Sequence, residues 1–197
     1  MIVMLDNGHG GVINGVYQTA GKRSPEWELG VLYEGVFNRK VVKGIIKVLQ
    51  SLKIPYYHLC PEDTDVSLET RVSRANEFTK KSKVPTYILS IHANAGGGTG
   101  WEIFTTIGKT KADDVADVFI KYMKSLPIVH RADLSDGDGD KESNFFILKD
   151  SIAPAVLLEC AFMDNHNDYV LMNDQKFIDK VIANCVNGII SLYKTSC

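Results

Sequence analysis

Two histidines and two glutamates have the chemistry and the placement to hold and use a metal ion. His9 and His92 each follow a short apolar run, and Glu159 is the first charged residue after another such run. Glu34 lies between the two histidines, in the stretch LYEGVFN. A catalytic zinc ion takes three histidine or carboxylate ligands and keeps one position open for water. These residues therefore predict metal-assisted hydrolysis, in which the metal polarises a carbonyl group and lowers the pKa of its water.

The residue types alone leave the third metal ligand open between Glu34 and Glu159. Glu159 ends an apolar run, as His92 does, whereas Glu34 falls on a predicted helix, where a solvated glutamate is equally expected. If Glu34 binds the metal, Glu159 is free to act as the acid/base group that passes a proton to the leaving nitrogen. Either assignment gives a site with two histidines and one carboxylate.

The elements that must position these residues alternate along the chain. Apolar residues at helical spacing predict helices over residues 27–52, 111–126 and 177–193 and a helix capped by Ser67, and apolar runs predict strands over 2–5, 56–59, 86–91, 100–106, 144–148 and 155–158. This alternation predicts one α/β domain over residues 1–197, with a mostly parallel central sheet of about six strands and helices on both faces. In such sheets, functional side chains gather at the carboxyl ends of the strands.

Composition excludes several classes of protein. The 197 residues suit a single core, and the net charge of −2 gives no electrostatic reason to expect nucleic acid or an anionic membrane as partner. No apolar run has the length of a membrane span, and no basic segment precedes the first strand, so neither a span nor a signal peptide is expected. The cysteines form no CxxC pair, which argues against a disulfide scaffold or a cysteine zinc site; they are Cys60, Cys160, Cys185 and Cys197.

Two other motifs fail on their spacing. The turn Gly8-His-Gly10 has Ile13 where a dinucleotide fingerprint needs its third glycine, and no HExxH sequence is present. The acidic segment 133–142 resembles a calcium loop, but Lys141 stands at the glycine position and Ile147 at the position of the bidentate glutamate. We therefore expect this segment to be a solvated loop at the rim of the site.

Five motifs, in order, resemble those of zinc-dependent N-acetylmuramoyl-L-alanine amidases of the amidase-3 type, and the resemblance runs from Met1 to the last helix. They are LDNGHGG, LYEGVFN, VSLETRVSRAN, LSIHANA and PAVLLECAFMDN. The resemblance implies a phosphorylase/hydrolase-like fold, zinc bound by His9, Glu34 and His92, and Glu159 as the catalytic glutamate. It also implies hydrolysis of the amide that joins the lactyl group of N-acetylmuramic acid to L-alanine of the peptidoglycan stem peptide.

The same resemblance implies peptidoglycan or a muropeptide as the partner and the cell wall as the place of action. We expect a monomer without a separate wall-binding domain. The start at Met1 without an export signal favours a phage or prophage endolysin that is released through a holin; an excised catalytic domain is the alternative. Two other functions stay open, namely a zinc peptidase that cuts within the stem peptide and a non-catalytic wall-binding module.

Further residues are assigned secondary roles. Cys60-Pro61 stands where the family often has an arginine, and Cys160, after the catalytic glutamate, is predicted to be a small buried hydrophobe. Asn165 is predicted to fix its loop by hydrogen bonds to the backbone. Arg71 and Asn76 are predicted to be structural and to tether the loop after the second strand. The carboxylates of segment 133–142 are predicted to receive the cationic diamino acid of the stem peptide.

Overall fold

The computed structural model describes residues 1–135 and 137–195. Its strands are β1 (Ile2–Asn7), β2 (Val12–Ile13), β3 (Val16–Tyr17), β4 (Arg23–Trp27), β5 (Gly30–Tyr33), β6 (Tyr56–His58), β7 (Thr86–Asn94), β8 (Glu102–Thr105), β9 (Lys141–Glu142) and β10 (Ala155–Phe162). Its helices are α1 (Glu34–Ser51), α2 (Leu68–Lys81), α3 (Lys111–Met123), α4 (Phe146–Lys149), α5 (His166–Asn173) and α6 (Gln175–Lys194).

Six strands form the central sheet, in the order β6-β1-β7-β10-β8-β9. The four strands from β6 to β10 are parallel, β8 runs antiparallel to β10, and β9 is parallel to β8. Parallel neighbours need crossover connections, and the helices between them supply these. The structure confirms the predicted α/β class, with a mostly parallel six-stranded sheet.

Both faces of the sheet are buried, which explains the continuous apolar runs. Leu89 and Ile91 of β7 pack in one cluster with α1, α3 and α6, whereas Ile88 packs in a second cluster with α2 and α4. Because side chains alternate along a strand, residues 88, 90 and 92 share the face that α2 and α4 cover. His92, near the carboxyl end of β7, therefore lies on the face of the sheet that α2 and α4 cover.

The predicted helix over 27–52 is wrong over its first seven residues, about two turns. Residues 23–33 form the antiparallel hairpin of β4 and β5, and α1 begins at Glu34. Gly30 has a φ of 85°, a conformation that suits a tight turn and opposes a helix. Leu29, which fitted the helical spacing, is 57% exposed at the tip of this hairpin.

Other element bounds also differ from prediction. The predicted strand over 144–148 is replaced by the short helix α4, in which the consecutive residues Ile147 and Leu148 are both buried. Helix α5 was not predicted, because its apolar residues lack a clear helical face. Strands β7 and β10 are longer than predicted, so His92 and Glu159 lie inside strands near their carboxyl ends.

The predicted local contacts have mixed outcomes. The Ser67 side chain accepts a hydrogen bond from the backbone N–H of Thr70, which confirms the predicted cap of α2. Asn165 caps α5 by accepting hydrogen bonds from two backbone N–H groups, as its predicted role required. Asn76 instead bonds the backbone of residues 150 and 152, so its predicted tether to the loop after the second strand is wrong.

The cysteines of the described chain are free thiols, and they are Cys60, Cys160 and Cys185; Cys197 lies outside the described residues. Cys160 is fully buried among apolar residues, which confirms its predicted packing role. Burial also raises the pKa of its thiol well above the usual value. In residues 1–135 and 137–195, no helix combines the length and the apolar character needed to cross a bilayer.

Asp140 of the acidic segment points inward and makes the stability of the fold depend on pH. Its carboxylate accepts a hydrogen bond from Thr105 Oγ1 at 2.6 Å, and the residue is 2% exposed. Burial raises the pKa of Asp140 from 3.8 to about 7, and the neighbouring Asp138 adds to the rise. The native state therefore holds this proton more tightly than the unfolded chain does. The associated stability is complete below pH 3.8 and is lost as the pH rises through about 7.

We expect Asp140→Asn to remove this loss, because the amide resembles the protonated acid and still accepts a hydrogen bond from Thr105. Urea unfolding at pH 5 and pH 8 should show the variant gaining stability over the wild type as the pH rises. The exposed Asp117→Asn serves as the control and should follow the wild type at both pH values. A variant that gains nothing at pH 8 would contradict the assignment.

Candidate active site

The glycine turn after β1 brings its histidine against the end of β7. His9 has a φ of 66°, in the left-handed region, which directs the chain back toward the start of α1. Gly8 must lack a side chain, because a Cβ there would lie 2.1 Å from the His92 ring. Gly35 is equally constrained, since its Cβ would lie 1.9 Å from the carbonyl oxygen of Gly10. The two histidines and the first turn of α1 are therefore packed together through glycine contacts.

Glu34 is the first residue of α1 and is only 2% exposed. Its backbone N–H donates to the carbonyl of Lys22 at 3.0 Å, and the next N–H donates to Tyr17 Oη at 3.0 Å. The two hairpins between β1 and α1 thus fix the point where the helix begins. A carboxylate in the first turn also lies near the positive end of the helix dipole.

The side chains of His9, Glu34 and His92 form one compact group. Glu34 Oε2 lies 3.2 Å from His9 Nε2, and Glu34 Oε1 lies 3.0 Å from His92 Nδ1. One donor atom from each residue lies within 4.8 Å of the other two, so these residues could hold a metal ion. The donor set of two imidazoles and one carboxylate fits zinc.

Electrostatics favour an ionised glutamate in this group. Burial opposes ionisation of Glu34, but hydrogen bonds from His9 and His92 outweigh it and hold the pKa of that carboxyl well below its usual range. Burial likewise opposes the charge on His92, yet its contact with Glu34 raises the pKa of the imidazole. The ionised carboxylate offers lone pairs to a cation, and a metal ion that binds here would replace the protons through which the two imidazoles contact Glu34.

Glu159 lies beside this group on the neighbouring strand. It pairs with His92 in the register of β10 and β7, and one of its carboxylate oxygens, Oε2, is buried without a hydrogen-bond partner among the described residues. Burial raises the pKa of the Glu159 carboxyl to about 7, although the His92 charge opposes the rise. A carboxyl group with a pKa near neutrality can both accept and donate a proton at the pH of a cell.

A buried ion pair supports the turn from the α2 side. Arg71 donates to Asp6, to the Asn7 carbonyl at 3.0 Å and to the His9 carbonyl at 3.3 Å. It also donates to the Val66 carbonyl at 2.8 Å, which confirms its predicted tether to the loop after the second strand. The Arg71 charge holds the pKa of Asp6 below its usual range against the effect of burial.

Sequence reasoning missed other residues that hold the turn. Asn38 donates to the Gly8 carbonyl at 3.0 Å, and Arg39 donates to the His9 carbonyl at 2.6 Å. Both residues follow Glu34 by about one helical turn, so they lie on nearly the same side of α1. Their spacing from Glu34 in LYEGVFNRK is the sequence feature that could have indicated this role. On β7, Ser90 donates to Asp6 at 2.6 Å and fixes the second oxygen of that carboxylate.

A cavity of about 760 Å³ opens over these side chains. It contains His9, Glu34, His92 and Glu159, and the rest of its lining is formed by Asp6, Gly8, Lys22, Asp65, Val66, Ser67, Leu68, Arg71, Ala93, Asn94, Ala95, Phe145, Phe146, Ile147, Leu157 and Met163. The three predicted metal ligands and the predicted catalytic glutamate therefore line the same cavity. None of the described residues of segment 133–142 lines it, so the predicted contact of that segment with a cationic diamino acid has no support; Asp136 lies outside the described residues.

Two histidines and a glutamate that could hold a metal ion, with a further carboxyl group beside them near the carboxyl ends of parallel strands, form the arrangement expected of a metal-dependent hydrolase. Residues 3–191 match the N-acetylmuramoyl-L-alanine amidase family of the amidase-3 type. The chain belongs to this family.

Individual relatives agree with this membership. The chain is 34% identical over 136 residues to the N-acetylmuramoyl-L-alanine amidase CwlM of Bacillus licheniformis, covering 68% of this chain and 49% of that protein. It is 26% identical over 203 residues to the endolysin of Bacillus phage SPP1, covering 97% of this chain and 65% of the endolysin. The chain thus spans about half the length of the first of these relatives.

The fold is also that of a solved amidase. The crystal structure of the N-acetylmuramoyl-L-alanine amidase from Clostridium difficile 630 superposes with a TM-score of 0.80 and 25% identity. The match covers 100% of this chain and 98% of that one. This chain and that amidase therefore share the same sheet and helices.

Proposed function

We propose that this chain is a zinc-dependent hydrolase of the amide bond between the lactyl group of N-acetylmuramic acid and L-alanine of the peptidoglycan stem peptide. The observation that carries the proposal is a buried Glu159 oxygen that has no hydrogen-bond partner in the described part of the chain and lies beside the group of His9, Glu34 and His92. Membership in the amidase family supports the choice of bond. Under this proposal the three grouped residues bind the metal, and Glu159 is the catalytic residue.

Zinc, when bound by His9, Glu34 and His92, would supply Lewis-acid activation of the amide carbonyl and of water. Glu159 accepts a proton from the attacking water while the oxygen of that water forms a bond to the carbonyl carbon. It then delivers that proton to the alanine nitrogen as the carbon–nitrogen bond breaks. The products are a lactyl carboxylate and a stem peptide with a free amino group, so one water is consumed for each bond.

The residues around the turn contribute by holding the reacting groups in place. Arg39 and Arg71 both donate to the His9 carbonyl, and Asn38 holds the carbonyl of the preceding glycine. Such bonds restrain ligands so that little reorganisation is needed when metal or substrate binds. The left-handed backbone at His9 is one place where this restraint is needed.

We also propose the extent of the catalytic unit, its place of action and its oligomeric state. Residues 1–197 form the catalytic unit, which works on the cell wall as a monomer. The similarity to a phage endolysin over 97% of the chain supports a lytic role. Light scattering of the purified chain tests the oligomeric state.

One experiment separates the proposed reaction from its rivals. The protein is purified without chelator, its zinc is measured, and it is incubated with purified peptidoglycan. We expect about one zinc per chain and released peptides that begin with L-alanine. Zinc with cleavage inside the peptide would establish a peptidase instead. Zinc and peptidoglycan binding without any cleavage would indicate a wall-binding module, and no zinc after metal is supplied would reject the mechanism.

Removing one of the three grouped residues should abolish stable metal binding. We expect His92→Ala and Glu34→Gln each to reduce zinc content from about one per chain to a small fraction of that, because a catalytic site has only three protein ligands. Zinc is measured by atomic absorption after gel filtration, together with circular dichroism to verify folding. His166→Ala is the matched control, since His166 is half exposed and lies outside the cavity. Full zinc content in a folded His92→Ala protein would contradict the assignment.

A further inference from the structure

We propose that the Lys22 side chain binds the free carboxylate of the second stem-peptide residue, the one that follows L-alanine. This contact makes the enzyme prefer stem peptides that carry a negative charge at that residue. This inference rests on the proposed amidase function and adds a specificity-determining residue to it. In peptidoglycan the second residue is a D-glutamate joined onward through its γ-carboxyl group. Its α-carboxylate is therefore free, unless the cell wall carries the neutral amide at that position.

Lys22 stands at the wall of the cavity and is held there by its backbone. Its carbonyl accepts the N–H of Glu34 at 3.0 Å, and its own N–H donates to the Thr19 carbonyl at 3.3 Å. The side chain is exposed and lines the cavity that contains Glu159. Its charge acts on Glu159, where it opposes the rise in the pKa of that carboxyl. The ammonium group therefore belongs to an exposed side chain on the wall of the cavity that contains Glu159.

The charges around the cavity leave Lys22 as the available cation. Of the described residues in the lining, Lys22 and Arg71 carry permanent positive charges. Arg71 is buried and occupied by Asp6, the loop carbonyls and Asp65 at 3.6 Å. Lys22 has no hydrogen bond or ion pair through its side chain within residues 1–135 and 137–195.

The remaining lining would repel an anionic peptide. Four carboxyl groups of described residues face the cavity, from Asp6, Glu34, Asp65 and Glu159. The first three already have cationic or hydrogen-bonding partners in Arg71, the two histidines and Thr19. A substrate carboxylate that enters this acidic surface needs a mobile cation to receive it, and lysine supplies a compact, adaptable one.

The carboxylate of the second stem-peptide residue lies close to the bond that is cleaved. The α-carboxylate of the second residue lies no more than about 7 Å from the scissile nitrogen, because an extended chain spans at most about 3.6 Å per residue. Lys22 lies on the wall of the same cavity, and its long flexible side chain is available to a carboxylate that enters there. Amidation changes one charged oxygen to a neutral nitrogen and leaves the shape almost unchanged, so the pair of substrates isolates the charge.

The test compares two synthetic muropeptides, each N-acetylmuramoyl-L-alanyl with either D-glutamate or D-isoglutamine next, followed by the same remaining residues. We expect the wild type to show a kcat/KM about tenfold higher for the glutamate substrate, as a partly desolvated charged contact provides. Lys22→Gln should reduce that ratio to about one, chiefly by lowering kcat/KM for the glutamate substrate. Lys22→Arg should restore most of the preference, and added salt should reduce it in the wild type.

Lys109→Gln is the matched control, because Lys109 is exposed and lies outside the cavity, and it should behave like the wild type. Zinc content and circular dichroism verify that each variant is intact. Equal cleavage of both substrates by the wild type, or a ratio that Lys22→Gln leaves unchanged, overturns the role of Lys22 while the amidase function stands. Failure of the zinc-loaded wild type to cleave either substrate at the alanine amide overturns the proposed function itself.

Discussion

Replacing Glu159 with glutamine should lower kcat by about 10²- to 10⁴-fold, the range that general acid–base catalysis contributes. The amide has nearly the shape of the carboxyl group but cannot accept a proton from water or return it to the leaving nitrogen. Because Glu159 stands outside the group of three residues that could hold the metal, zinc content should remain that of the wild type. Turnover is measured by the release of stem peptides, and zinc by atomic absorption on the same preparation.

Two further measurements make this result specific. Glu77→Gln, on the exposed side of α2, changes the same functional group far from the cavity and should leave kcat unaltered. Denaturant unfolding should show that Glu159→Gln is no less stable than the wild type, since a neutral amide is easier to bury than a carboxylate. A zinc-loaded Glu159→Gln protein with wild-type turnover would remove Glu159 from the mechanism.

The largest expected loss of stability follows from Arg71→Met. Arg71 and Asp6 are 2% and 1% exposed, so removing the guanidinium leaves a buried carboxylate without its charge partner. Breaking such a pair costs about 3–5 kcal/mol of unfolding free energy. The carbonyls of Asn7 and Val66 lose their donor at the same time. Urea unfolding at pH 7 measures the change.

The pair can be tested from both sides. Asp6→Asn combined with Arg71→Met should recover part of the loss, because no charge then stays buried alone. Lys81→Met is the control: its pair with Glu77 is largely exposed and should be worth less than about 1 kcal/mol. The low pKa of Asp6 means that its contribution is present above pH 3.8 and is lost as the pH falls below that value. An Arg71→Met protein as stable as the wild type would show that the pair adds nothing to the fold.

The sheet could be predicted because burial on both faces leaves a local signal. Strands β1, β7 and β10 are near-continuous apolar runs, and their order with the helices indicates a parallel arrangement. The ends of these runs located His9, His92 and Glu159. The pairing of Glu159 with His92 is a non-local fact, however, because it depends on the register between strands far apart in the chain.

The role of Glu34 could not be obtained from its own surroundings. A helical pattern that includes Leu29 and Leu32 makes Glu34 a residue in the middle of a helix, where either a solvated or a buried glutamate is reasonable. The hairpin that ends at Tyr33 turns it into the first helical residue and directs it at the histidines. In the sequence, a single glycine at position 30 carries little weight against eight apolar positions at helical spacing. Family resemblance, rather than periodicity, assigned Glu34 to the metal.

The two hairpins between β1 and α1 form a segment whose tips can be varied separately from its base. Segment 12–33 is bound at its base, where Gln18 N–H donates to the Gly11 carbonyl at 2.9 Å and Glu34 N–H donates to Lys22. Its tips at Asn14-Gly15 and Glu28-Leu29 are exposed. Insertions or exchanges at the tips can therefore change the surface of this segment without displacing His9 or Glu34. This segment is therefore suited to loop grafting, because its exposed tips can be replaced while the backbone hydrogen bonds at its base are kept.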